Sequence, residues 1–161
     1  MQGFVSYTHR DAKHLDRFAV HLKAIERITP FRFWYDKRRL KAGDRFDDVI
    51  AKAIKESDVF ILLVSPDFFA SDYIFDKELP AIIEHSSKMH CPVVPVILKR
   101  CLWEAWLDGI LAVPEVPILE WKPIENGFDA ANRQVAKTVC GWCKIQPTGL
   151  LMRFLSGQSA P

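Results

Sequence analysis

The chain has 161 residues, 49% of them hydrophobic, which is enough to bury one full core and too few for two. Its formal charge is +2, with basic residues interspersed among acidic ones apart from the cluster Lys37-Arg38-Arg39 and Lys41, which argues against nucleic acid as the main partner. No stretch approaches the roughly eighteen uninterrupted apolar residues of a membrane span, and the N-terminus lacks the basic and apolar segments of a secretion signal, so a single cytoplasmic domain without a membrane partner is expected.

Phe4-Val5-Ser6-Tyr7 breaks into the polar Thr8-His9-Arg10-Asp11, the pattern of a buried strand ending in a loop. Leu15, Phe18, Ala19, Leu22 and Ile25 then recur at helical spacing until Thr29-Pro30 stops them. Residues 31–35 read as a second strand. The charged segment 36–43 ends at Gly43 and precedes a helical stripe of Phe46, Val49, Ile50, Ala53 and Ile54, with Asp44 as the expected N-cap. The six apolar residues Val59–Val64 predict a strand covered on both faces, closed by Ser65-Pro66. A helix is expected over 71–84, kinked or divided by Pro80. Residues 93–98 form the expected fourth strand, 116–119 a short fifth, and a helix over 128–139 closes the domain.

This alternation predicts an α/β fold: a flavodoxin-like, doubly wound, five-stranded parallel sheet of order 2-1-3-4-5, with helices on both faces. The domain is expected to span residues 1–145, and the Pro-, Gly- and Ser-punctuated 146–161 to be a flexible tail or the start of a linker. Cys140-Gly-Trp-Cys143 has the spacing of a redox or zinc pair. It lies at the C-terminal end of the last helix, however, where no helix N-terminus depresses a thiol pKa, so part-buried thiols are expected there and no metal site.

In a doubly wound sheet, ligands collect beyond the carboxyl ends of the strands where strand order reverses. The first strand delivers residues 7–11 to that wall, the second delivers Asp36 and the charged loop, and the third delivers residues 65–78. No glycine-rich phosphate loop follows a strand, which disfavours a Walker-type hydrolase or an ordinary dinucleotide oxidoreductase. The third strand ends Val64-Ser65-Pro66 rather than in the Asp of a phosphate-accepting receiver, and no Gly-x-Ser-x-Gly elbow occurs. Carboxylates remain as the candidate chemistry.

Several segments in fixed order carry a resemblance. They are Phe4-Val5-Ser6-Tyr7 with an acidic helix start, the loop ending Gly43-Asp44, Leu63-Val64-Ser65-Pro66 followed by Ser71-Asp72-Tyr73 and Glu78-Leu79, and residues 92–98 with Cys101 and Trp103 behind them. The chain resembles bacterial TIR domains. Many of these cleave the nicotinamide–ribose bond of NAD⁺, and the resemblance places their essential glutamate on Glu78. It implies substrate contacts from Tyr7, His9, Arg10, Trp103, and Arg39, Leu40 and Phe46 in or beside the family's BB loop. Many active relatives have Trp or Cys before the glutamate; here the run is Tyr73-Ile74-Phe75, with Ile74 expected to shape the nicotinamide pocket. NAD⁺ is thereby expected as substrate, with no cofactor. The resemblance also implies self-assembly through TIR–TIR contacts, a separate or fused sensor and a role in antiphage defence. A non-catalytic TIR–TIR scaffold is the alternative.

Overall fold

The computed structural model of the chain describes residues 1–35 and 46–144, and its centre is the apolar run Val59–Val64. That run is strand β3, flanked by β1 (Gln2–Ser6) and β4 (Val93–Ile97), with β2 (Arg32–Trp34) beyond β1. All pairings are parallel, with Gly3 opposite Val59, Gln2 opposite Arg32, and Phe60 opposite Val93. The order β2-β1-β3-β4 is that of a flavodoxin-like sheet wound in both directions from β1.

Side chains of β3 alternate between two cores, as the two-residue period of a strand requires. Val59, Ile61 and Leu63 pack with Leu15, Phe18 and Leu22 of α1 (Ala12–Ile28) and Phe128 and Val135 of α5 (Ile124–Trp142). Phe60, Leu62 and Val64 pack on the other face against Ile50 and Ile54 of α2 (Phe46–Lys55), Phe68 of the short α3 (Pro66–Phe69) and Ile82 of α4 (Leu79–Met89). Each of these large side chains contributes about 1.5–3 kcal/mol by leaving water. The stripe expected for α1 faces its core, as do Val49, Ile50, Ala53 and Ile54 of the α2 stripe, whereas Phe46 at the helix start is exposed; α5 begins four residues before the stretch read from sequence.

The fifth strand expected at 116–119 does not form among the described residues. Val113 instead makes a single parallel bridge to Val96, its N–H donating to Pro95 O at 2.8 Å and its carbonyl accepting from Ile97 N–H at 2.9 Å. Pro114 follows at once and Pro117 soon after; neither has an N–H to extend a ladder, so pairing stops after one residue. Ile118–Glu120 then turns as a 3₁₀ helix, anchored by Leu119 N–H donating to Leu98 O at 3.1 Å. Gly127 lets α5 close on this turn, because a Cβ there would sit 2.7 Å from the Ile118 carbonyl oxygen. Asp36, Arg39, Leu40, the expected cap Asp44 and the tail from 146 lie outside the described residues. No described helix is long and apolar enough to cross a membrane.

Candidate functional site

Strand order reverses between β1 and β3, and Glu78 reaches that point from the helix after β3. Ser65 closes β3 and caps α3, its Oγ accepting from Phe68 N–H at 3.1 Å. The chain then continues through a π-helical turn, Ile74–Glu78, into α4. Glu78 is 7% exposed, and its Oε1 accepts a hydrogen bond from the buried Ser6 hydroxyl at the end of β1.

The π turn is what lets this helix present one continuous buried face. At about 100° per residue, Ile74 and Leu79 would lie about 140° apart on a regular α-helix. Here the Leu79 N–H donates to Ile74 O, five residues back rather than four, so the turn holds one more residue and brings Ile74, Glu78, Leu79 and Ile82 together against the core. Pro80 follows directly in α4 and, having no N–H, cannot make the next helical hydrogen bond back into the π turn. The division expected at Pro80 therefore takes the form of a change of helical pitch.

A cavity of about 260 Å³ opens beside Glu78. Tyr7, Thr8 and His9 line it from the loop after β1, Phe46 from the start of α2, and Ser71, Tyr73 and Ile74 from the helix that carries Glu78. The rings of Phe46 and Tyr73 lie 5.1 Å apart, and His9 meets the edge of Tyr7 at 6.0 Å. Burial, then the negative charges of Asp47 and Glu78, push the Tyr73 phenol far above its usual pKa, so it stays neutral and donates to Asp47. Lys77 pairs with the same Asp47 at 2.9 Å and lies 5.5 Å from the Tyr73 ring centre. The arrangement joins a carboxylate to aromatic faces, which suits a flat, electron-poor ring carrying positive charge.

A second polar cluster ties the same strand ends together. Asp11 is fully buried; it accepts from the Ser65 hydroxyl and, at 3.2 Å, from Lys99 beyond β4. Lys99 also faces Asp67 at 3.6 Å, and Arg10 holds Asp67 at 2.9 Å, keeping that carboxyl below its usual pKa. Burial, only partly opposed by Asp11, lowers the pKa of the adjoining His14.

Five of the residues singled out from sequence, Tyr7, His9, Phe46, Ile74 and Glu78, thus share one cavity. Arg10 does not line it and turns to Asp67 instead. Trp103 is also elsewhere, in a groove of about 510 Å³ beyond β4 with Ile97, Cys101, Ile110 and Pro114. Cys140 is buried and Cys143 partly so; both are free thiols with pKa raised by burial, the opposite of an activated thiolate. Among the described residues no three His, Cys, Asp or Glu side chains gather as a metal site. Strand order had brought Asp11 and Ser65 to this wall without giving them a role, while sequence reasoning passed over Ser6 and Lys99. The one available signal was Ser6, a hydroxyl inside an otherwise apolar strand.

A family model described as TIR domain matches residues 4–129. The chain is 37% identical over 139 residues to a Sinorhizobium fredii (strain NBRC 101917 / NGR234) protein called uncharacterized protein y4lF, covering 84% of this chain and 42% of that one. Its fold is similar to that of a metazoan TIR-STING receptor from C. gigas, with a TM-score of 0.53 at 19% identity over 97% of this chain and 45% of the receptor. The chain thus spans less than half the length of either protein.

Proposed function

Because the chain belongs to the TIR domain family, we propose that it cleaves the nicotinamide–ribose bond of NAD⁺, with Glu78 as the essential carboxylate. The observation that carries the proposal is the placement of Glu78: nearly buried, at the switch point of the sheet, on a cavity shared with Tyr7, Phe46 and Tyr73.

The chemistry asks little more of the protein. As the bond from ribose C1′ to the pyridinium nitrogen breaks, its electron pair returns to nicotinamide, which leaves neutral and needs no general acid. Positive charge builds on the ribose ring, and a fixed carboxylate beside it stabilises that charge. Water then bonds to C1′ and releases a proton, giving ADP-ribose; capture by a group of the same molecule gives a cyclic isomer. Binding sites for whole ligands of this size usually enclose roughly 300–1,000 Å³. We therefore assign only nicotinamide and its ribose to the described cavity. Asp36, expected on that wall from strand order, and Arg39 and Leu40, from the family resemblance alone, remain proposed contacts for the rest of the substrate.

We also propose that TIR–TIR self-association completes the site, that a sensor on the same or another chain controls it, and that the enzyme serves antiphage defence in the cytoplasm. A non-catalytic scaffold is the second reading. It is favoured by the exposed Leu102 and Leu111 on the groove beyond β4, an apolar surface suited to a partner. Incubating concentrated protein with NAD⁺ and resolving the products by chromatography separates the two. Nicotinamide with linear or cyclic ADP-ribose supports the enzyme; intact NAD⁺ with self-associated protein supports the scaffold.

A further inference from the structure

The two-residue period of β1 puts Phe4 and Ser6 on the sheet face covered by α2 and α4. The neighbouring positions on that face, Phe4, Phe60, Leu62 and Val64, are all apolar. Ser6, 2% exposed, is the exception, and a hydroxyl buried there costs stability unless it finds an acceptor. Its acceptor is Glu78 Oε1, 72 residues further along the chain. Ser6 does not line the cavity, whereas Tyr7 and Thr8 after it do. Its hydroxyl therefore acts on the carboxylate and not on a bound substrate.

We infer that Ser6 is the positioning residue of Glu78: its hydroxyl fixes the plane of the carboxylate against the end of β1 and favours the ionised form, which accepts this hydrogen bond best. Only the kinetic consequences rest on the NAD⁺ proposal; the positioning itself is a property of the folded chain. Among the described residues, the titratable groups that share or border the cavity with Glu78 are Tyr7 and His9 from the loop after β1, Tyr73 from its own helix, and the Asp47–Lys77 pair between α2 and that helix. A Ser6 substitution leaves all of them in place, so a change in Glu78 titration reports the lost hydroxyl.

The test compares the parent chain with Ser6→Ala and Ser6→Thr. Loss of one hydrogen bond to a charged group is expected to lower kcat about tenfold in Ser6→Ala, with KM within about twofold, and threonine restores most of kcat because it keeps the donor. The acid limb of the kcat profile moves to higher pH in Ser6→Ala. Independently of turnover, NMR titration of ¹³C-labelled glutamate, with Glu78→Gln for assignment, should show the Glu78 carboxyl titrating at higher pH in Ser6→Ala than in the parent. If the parent releases no nicotinamide but the Glu78 titration moves, Ser6 positions the carboxylate and the chain is not an NAD⁺ glycohydrolase. If Glu78→Gln is inactive while Ser6→Ala keeps parental kcat and titration, Ser6 has no positioning role.

Discussion

Lys99 Nζ lies 3.2 Å from Asp11 Oδ1, joining the end of β4 to the helix start after β1 above a fully buried carboxylate. Ser65 holds the other Asp11 oxygen, so the residues following three strands meet on one side chain. Lys99→Met is expected to leave a buried charge undercompensated and to lower the unfolding free energy by about 1–3 kcal/mol, discounted from a fully buried pair because Lys99 is partly solvated. The midpoint of urea denaturation measures this. An unchanged midpoint would show that Asp11 needs no cation.

His14, 9% exposed, has its pKa lowered from 6.5, chiefly by burial. Below pH 6.5 the unfolded chain takes up a proton that the folded chain resists, so this contribution to stability is complete above pH 6.5 and is lost as pH falls from there toward the folded pKa. Urea midpoints measured between pH 7.5 and 5.5 should therefore decline in the parent chain, and less steeply in His14→Gln. Equal slopes would remove His14 as a source of acid sensitivity.

Gly127 approaches the backbone of the turn at Ile118 so closely that no flexible side chain can yield to an added methyl group. Gly127→Ala should force α5 away from the sheet and cost about 1–3 kcal/mol, the usual range for overpacking. Retained stability with α5 unmoved would mean that the turn at Ile118 shifts freely.

Tyr73 packs at a tilt against Phe46 on the cavity and donates its hydroxyl hydrogen to Asp47. If the ring supports bound nicotinamide, Tyr73→Phe should keep a KM for NAD⁺ near the parental value, and Tyr73→Ala should raise it by about threefold to tenfold. Steady-state nicotinamide release separates the two. An unchanged KM in Tyr73→Ala would move the ring out of the binding surface.

Much of the fold was legible because burial leaves a periodic record. Val59–Val64 is continuous in apolar character since both its faces are covered, and the α1 stripe from Leu15 to Ile25 repeats as one covered face demands. The fifth strand was misread because residues 116–119 are apolar as a strand would be, while the backbone donors that a ladder needs are missing at Pro114 and Pro117. A π turn adds one residue without altering the composition of a helix, so it too leaves no periodic signal. Glu78 was placed by family resemblance, not by physical pattern; on sequence alone it is one helix carboxylate among several. Trp103 follows β4 in sequence, but order along the chain does not reveal that it lies on the groove beyond the sheet edge, away from Glu78.

The most direct test of catalysis by Glu78 is nicotinamide release from NAD⁺ by the concentrated parent chain and by Glu78→Gln, which removes the charge but keeps the size. Removing one preorganised electrostatic group is expected to lower kcat by roughly 10²–10³-fold. Circular dichroism and urea denaturation should meanwhile show Glu78→Gln folded. Release by Glu78→Gln at the parental rate would mean that the carboxylate beside Ser6 carries no part of the reaction.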